Sequence, residues 1–313
     1  MGRFGVAGFV FAWDEITPHM YTILLYYKYV EIAEPEMFRK EHFDLCNELG
    51  LKGRIIVSRE GINGTVEGTT ENIRKYLAHM RADERFADID FKESQGTGNA
   101  FPRLSVKVRP EIVTLGTGAV VGDPQRFAKG AYIEPDELQS WYDEGKDFVV
   151  VDMRNDYEQA VGHFEHSICM PVKNFREIPG AVKEIEHLKD KTVVSVCTGG
   201  VRCEKATNFL IEQGFSNVHQ LHGGMVRYLE KHPGKKFKGS LYVFDSRVAV
   251  SFDSPDQHVV VGVCKRCRMP SERCVNCENL NCHEHFICCE VCSEDGVFCS
   301  DACKEVVTAK AHA

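Results

Sequence analysis

Residues 193 to 206 read VVSVCTGGVRCEKA: an apolar run, a cysteine, two glycines, an arginine and a second cysteine. Such residues suit a metal site, a phosphate grip or a thiolate nucleophile. The apolar run has strand character and the segment after it has helix character. Cys197 therefore falls at the C-terminal end of a buried parallel strand and the N-terminal end of a helix, where sites in open α/β sheets gather. Gly199 and Gly200, with Thr198 and Val201, let the backbone curl until its amides point inward, and the helix start adds partial positive charge. Arg202 adds a full charge. A cysteine facing that bowl is expected to be largely thiolate near neutral pH, and the bowl would also stabilise an anionic group carried on the sulfur.

The GxxxxGK[ST] phosphate loop is absent. Cys197 to Arg202 is C-x4-R, one residue tighter than the C-x5-R of cysteine phosphatases, and suits one extra sulfur or oxygen better than a tetrahedral phosphate. The bland alternative is a small buried hydrophobe ending a strand. Cys203 has two readings: a partner that resolves a persulfide or sulfenate by forming a disulfide, or a helix-start cysteine without chemistry.

A second concentration of thiols fills the C-terminal region. Ten of the fourteen cysteines lie between Cys264 and Cys303. Close cysteine pairs let two thiolates reach one zinc from a tight turn, and several pairs in so short a tail are a specific signal. The expected ligands of two zinc sites are Cys264, Cys267, Cys277, Cys282, Cys289, Cys292, Cys299 and Cys303, first pair with third and second with fourth, with Cys274 and Cys288 as spares. An iron–sulfur cluster or disulfides are the rival readings. In either metal case the role is structural, because so short a tail gains its folding energy from the metal.

Elements must position both features. The 313 residues suffice for two or three domains. The composition is 43% hydrophobic and 27% charged with a net charge of −8, which excludes a chain that coats nucleic acid by bulk positive charge but allows a local basic groove. No apolar stretch has membrane-span length, and residues 1–19 read as a non-secretory extension. A large cysteine-poor body with a cysteine-dense tail points to a reducing compartment, the cytoplasm. From 20 to 115 the order is close to βαββαβ, a ferredoxin- or acylphosphatase-like α+β layout. Within it, Asn63-Gly64 reads as a hairpin turn. A glycine-rich linker spans 111–130. Between 125 and 235, apolar strands alternate with helices, PGAVKEIEHLKD (179–190) among them, implying a parallel sheet flanked by helices. KHPGKKFKG (231–239) reads as a solvated basic connector, SLYVFDSRVAV as a hairpin, and 240–313 as the cysteine-rich region. No flavin or NAD fingerprint is present.

VVSVCTGGVRCEKA resembles the active-site loop of rhodanese-type sulfurtransferases, VVVDMRNDYEQAVGHFEHSICMPV their strand-Asp-x-Arg, Tyr-Glu and Gly-His segment, and LHGGMVRYLE their closing Gly-Gly helix. The whole order, with SREGINGTV and VTLG as further marks, is similar to the bacterial tRNA uridine hydroxylases, over nearly all of the chain after Met20. That resemblance implies oxygen-dependent 5-hydroxylation of the wobble uridine, with dioxygen as co-substrate, Cys197 visiting a persulfide, and Arg202 and the loop amides holding the negative charge. Asp152 and Arg154 would brace the loop, and Glu158 and His163 would support the fold. The partner would be a tRNA anticodon stem-loop, touched by Arg54, Arg59, Asn63, Lys235 and Lys236, with a sulfur-donor protein as a further partner. The alternative activity is a sulfurtransferase passing sulfane sulfur from thiosulfate or a donor protein to a thiol. A non-enzymatic zinc-bound RNA adaptor is disfavoured by the intact Cys, Gly-Gly and Arg.

Overall fold

The structure is a computed structural model that describes residues 20–117 and 130–311. The N-terminal extension and most of the glycine-rich linker lie outside the described residues. The first unit runs β1 (Tyr21–Tyr29), α1 (Pro35–Glu48), β2 (Lys52–Ser58), β3 (Gly61–Thr69), α2 (Thr70–Ala82), β4 (Lys92–Gln95) and β5 (Leu104–Val108). Proline opens α1, and Gly50 follows its end at φ +63°, a conformation glycine adopts without strain. Thr69 caps α2 by accepting a hydrogen bond from the Asn72 amide at 3.3 Å.

The sheet order is β4-β1-β3-β2-β5, antiparallel except for the parallel β2–β5 pair. Both helices cover one face, burying Leu24, Tyr26, Ile55, Val57, Ile62 and Val66. Alternation along the strands sends Leu25, Tyr27, Tyr29, Arg54 and Asn63 to the other face. The expected turn at Asn63-Gly64 is not there. Ser58 pairs with Gly61, so Arg59 and Glu60 make the turn, and Asn63-Gly64 lies inside β3 opposite Tyr27 and Tyr26. A Cβ on Gly64 would stand 2.6 Å from the Tyr26 ring, so that glycine answers to a close approach and not to a turn.

The second unit contains β6 (Ala131–Ile133), α3 (Pro135–Glu144), β7 (Val149–Asp152), α4 (Asp156–Gln159), β8 (Gly162–Phe164), β9 (Ile168–Cys169), α5 (Ile178–Ala181), β10 (Thr192–Val196), α6 (Val201–Glu212), β11 (Asn217–Leu221) and α7 (Gly224–Lys231). Its sheet, β6-β11-β10-β7-β9, is parallel throughout, with β10 at the centre and an apolar cluster on each face. Two local expectations need correction. PGAVKEIEHLKD forms only the single turn α5 and then a 3-10 run from Val182 to Leu188. Pro179 sits in the first turn, where proline is tolerated, and the segment is anchored by buried Ile178, Ile185 and Leu188. KHPGKKFKG is not wholly a free connector: β12 (Phe237–Gly239) pairs with β8, and Phe237 is buried against Phe164.

The remaining chain forms the hairpin β13 (Leu241–Tyr242) and β14 (Ala249–Val250), the pair β15 (Cys274–Asn276) and β16 (His285–Ile287), and the helices α8 (Glu290–Ser293) and α9 (Asp301–Ala311). Val161, Tyr242, Cys274 and Ile287 form a small core joining tail to body.

Candidate active site and cysteine-rich tail

Cys197 directly follows the central strand β10, and Gly200, at φ +103°, turns the chain into α6. The helix starts at Val201, so Arg202 and Cys203 belong to its first turn and not to an open loop. The Gly200 amide donates to the Cys197 sulfur at 3.2 Å. The loop carbonyls are tied from the other side, the Met225 amide donating to Cys197 at 2.9 Å and the Val226 amide to Thr198 at 3.1 Å. Gly224 permits this: a Cβ there would lie 2.6–2.7 Å from the backbone of Cys197, Thr198 and Gly200.

Cys197 is completely buried, and burial alone would push its thiol up. A hydrogen bond from the Cys203 thiol, the charge of Arg202 and the amides of Cys203 and Arg202 outweigh that effect and bring it down to about 6. Cys203 moves the opposite way. Burial and the neighbouring Cys197 anion push it well above its usual value, so it stays a protonated donor.

Arg202 does not stand free in the bowl. Its guanidinium is bidentate on Glu158, at 2.6 and 2.7 Å, and donates to the Thr198 hydroxyl at 3.1 Å. Glu158 is fully buried. Burial would raise its carboxyl, but the Arg202 charge wins and holds it below the ordinary value. The family resemblance implies only a fold-supporting Glu158, whereas here it fixes the active-site cation. Its place in a capping box on Asn155 explains how a four-residue helix presents it. Asp152 and Arg154 form a second buried pair at 2.7 Å, and Arg154 also donates to the Gly162 carbonyl at 2.6 Å, bracing the strand ends beside the loop. His163 bonds the Gln159 carbonyl at 3.1 Å.

Sequence reasoning missed the cover over this loop. The second face of the first sheet lies on it. A Cβ on Gly199 would be 3.0 Å from Leu25, and one on Gly200 would be 2.8 Å from the Tyr27 hydroxyl. Tyr29 donates to the Val201 carbonyl at 3.1 Å, and Tyr27 to Glu204 at 3.0 Å. Buried Lys205 bridges Glu60 at 2.8 Å and Glu111 at 2.6 Å, and Arg227 reaches Asp90 at 2.5 Å. A signal existed in the sequence: YTILLYYKY is apolar at both odd and even positions, the mark of a strand covered on both faces.

In the tail the sulfurs gather as Cys264, Cys267, Cys289 and Cys292, and as Cys277, Cys282, Cys299 and Cys303, each group within 4.8 Å. The pairs are first with third and second with fourth. Cys274 and Cys288 lie outside both groups, and burial pushes the Cys274 thiol up to about 12. Sulfur separations are 3.6 Å for Cys267–Cys289, 3.5 Å for Cys282–Cys299 and 3.6 Å for Cys299–Cys303. Four sulfurs at about 2.3 Å from one zinc would stand about 3.8 Å apart, so both donor sets fit a tetrahedral thiophilic metal.

Of the expected RNA-contacting residues, Arg54 and Arg59 are exposed, Arg54 lying 5.9 Å over the Phe101 ring. Asn63 donates to the Ile112 carbonyl at 3.0 Å. Lys235 is exposed, and Lys236 lies 5.6 Å over the Tyr142 ring. Arg54 and Asn63 share a sheet face of the first unit, Arg59 is in its turn, and the lysines immediately precede β12.

Residues 21–112 match the UPF0176 acylphosphatase like domain, 134–231 the rhodanese-like domain and 238–304 the rhodanase C-terminal family. A tRNA uridine(34) hydroxylase of Cytophaga hutchinsonii is 44% identical over 286 residues, 91% of this chain and 90% of that protein. One of Bacillus licheniformis is 44% identical over 276 residues, 87% and 84% of the two chains. Among solved structures, a rhodanese-like domain protein of Staphylococcus aureus is 30% identical over 31% of this chain and 90% of that one, with a TM-score of 0.28. With three matched domains in order and such identity along nine tenths of its length, the chain belongs to the tRNA uridine(34) hydroxylase family.

Proposed function

We propose that this chain is an enzyme that hydroxylates the wobble uridine of tRNA, one atom of dioxygen entering the base and the other leaving as water on two electrons and two protons from a thiol-class reductant. Cys197 is the reacting group and visits a persulfide whose outer sulfur comes from a sulfane-sulfur donor. The observation that carries this reading is a fully buried Cys197 at the head of a helix, its sulfur accepting from the Gly200 amide at 3.2 Å, in a chain whose relatives along nine tenths of its length are named for that reaction. The Gly200, Arg202 and Cys203 amides and the Arg202 charge hold negative charge on the sulfur. Glu158 and Thr198 fix Arg202, the Asp152–Arg154 pair braces the strand ends, and Cys203 donates a hydrogen bond to the anion.

The domains we assign are 20–115, acylphosphatase-like; 125–235, rhodanese; and 240–313, the tail. Zinc in the two four-cysteine groups would supply the tail's folding energy and take no part in the reaction. Arg54, Arg59, Lys235 and Lys236 are assigned to the anticodon stem-loop. The cytoplasm, where tRNA is modified, is the proposed location. No helix among the described residues is long and apolar enough to cross a membrane.

The test is genetic. Delete the gene in a strain without a redundant route and measure 5-hydroxyuridine-derived wobble nucleosides by mass spectrometry, with complementation by wild type and by Cys197→Ser. Loss on deletion and rescue by wild type alone are expected. Unchanged nucleosides would sink the activity, and rescue by the serine variant would remove Cys197 from it.

A further inference from the structure

Between the first unit and the β6, β11 and α6 side of the second, next to the Cys197 loop, the structure holds a cleft of roughly 340 Å³, near the small end of the ~300–1,000 Å³ typical of ligand sites. It is walled by Tyr27, Tyr29 and Lys92 from the first unit and by Tyr132, Glu204 and His222 from the second, with Gly223 beside them. It abuts the reactive loop. The Tyr27 hydroxyl lies over Gly200, and Glu204 stands in the first turn of α6 beside Arg202 and Cys203. Neither unit makes this cleft alone.

Its chemistry is that of a base site. Tyr27 and Tyr132 donate to the same Glu204 oxygen, at 3.0 and 2.8 Å, which fixes both rings at their hydroxyl ends. Gln220 holds the other Glu204 oxygen at 3.0 Å, so the carboxylate does not swing. Tyr132 is 51% exposed and meets His222 edge-on with centroids 5.3 Å apart, leaving an aromatic face open at the mouth. Aromatic faces in such a site stack unpaired bases. Lys92 is only 3% exposed, yet it lines the cleft. Its ammonium pairs with Asp90 at 2.9 Å and lies 5.6 Å over the Tyr27 ring. An ammonium donates and cannot accept, so it favours a ring carbonyl over an exocyclic amine at the same place.

We propose that this interdomain cleft receives the extruded pyrimidine, stacked on Tyr132 and Tyr27, with Lys92 donating to a ring carbonyl and so favouring uracil over cytosine. This rests on the tRNA reading above. It also explains why the first unit packs where it does, since it completes the substrate site of a loop that belongs to the second. Extruding the base is the usual requirement for chemistry on a nucleobase.

The test uses the full-length protein and a synthetic anticodon stem-loop carrying 4-thiouridine at the wobble position. Irradiation and peptide mapping should place the crosslink on Tyr27, Tyr29 or Tyr132. Tyr132→Ala should raise KM for the unmodified stem-loop about tenfold, the effect of one lost stacking contact, with only the modest fall in melting temperature expected from losing its hydrogen bond to Glu204. Lys92→Met should narrow the preference for uridine over cytidine at that position in stem-loop binding. A crosslink mapped to Arg54, Arg59 or the Lys235–Lys236 segment, or an unchanged KM in Tyr132→Ala, overturns the cleft assignment while leaving hydroxylation by the wild type intact. A wild type that forms no hydroxylated nucleoside would instead defeat the activity itself.

Discussion

The loop at Cys197 and the tail beyond Cys264 use one side chain in opposite ways. At Cys197 a single sulfur is faced by amides, a thiol proton and a guanidinium's charge, all of which favour its anion. In the tail, eight sulfurs face one another at separations such as 3.5 and 3.6 Å, an arrangement that suits anions only if a cation sits among them. Burial differs too. Cys197 is buried in a loop whose Gly199 and Gly200 face Leu25 and Tyr27, whereas Cys267 is exposed. Counting cysteines therefore locates the metal-type region and overlooks the reactive thiol; what faces each sulfur separates them.

The sharpest way to break the contrast is to remove one sulfur from each region. Cys197→Ser should lower hydroxylation by three orders of magnitude or more, while metal content measured by elemental analysis stays at two ions per chain. Cys289→Ala, or a strong chelator, should do the reverse to the metal. Structural zinc contributes on the order of 10–16 kcal/mol to folding in comparable peptides, so the tail should become protease-sensitive. A metal-free tail that resists protease would refute the structural role.

Next in size is Glu158→Gln, which leaves Arg202 buried with half its pairing lost. Breaking a buried pair costs about 3–5 kcal/mol, so a clear fall in melting temperature is expected; an unchanged one would mean that Arg202 does not depend on Glu158. A smaller loss, roughly 1–3 kcal/mol, is expected for Gly64→Ala, whose methyl group would overlap the Tyr26 ring. Denaturant midpoints would show it.

The subtlest change is one of pH. A step that needs the Cys197 thiolate should run at full rate above its titration and decline as pH falls through about 6. Cys203→Ala removes a donor to that thiolate, so the decline should begin at higher pH. A single-turnover rate profile would record the shift. A profile that does not move would remove Cys203 from the stabilisation of the anion.

Much of this was legible from local pattern. The strand-cysteine-Gly-Gly-Arg run announced the loop because strand end, curl and charge all lie within ten residues. The tail's pairs announced themselves by spacing. What depended on distant segments was not legible. Asn63-Gly64 carries the commonest hairpin signal, yet the chain turns at Arg59-Glu60, because Gly64 is required by Tyr26 on the neighbouring strand. Glu158 lies 44 positions from the arginine it holds, Tyr132 lies 72 positions from Glu204, and Tyr27 meets Glu204 only once two domains pack. Spacing along the chain has no access to such pairs.

The most direct measurement is isotopic. Cells lacking the native gene and expressing either wild type or Cys197→Ser are grown under heavy-isotope dioxygen, and the wobble nucleoside is weighed by mass spectrometry. The predicted result is heavy oxygen in the hydroxyl group with wild type and no hydroxylated nucleoside with Cys197→Ser. Label arriving from water instead of dioxygen, or full hydroxylation by the serine variant, would contradict it.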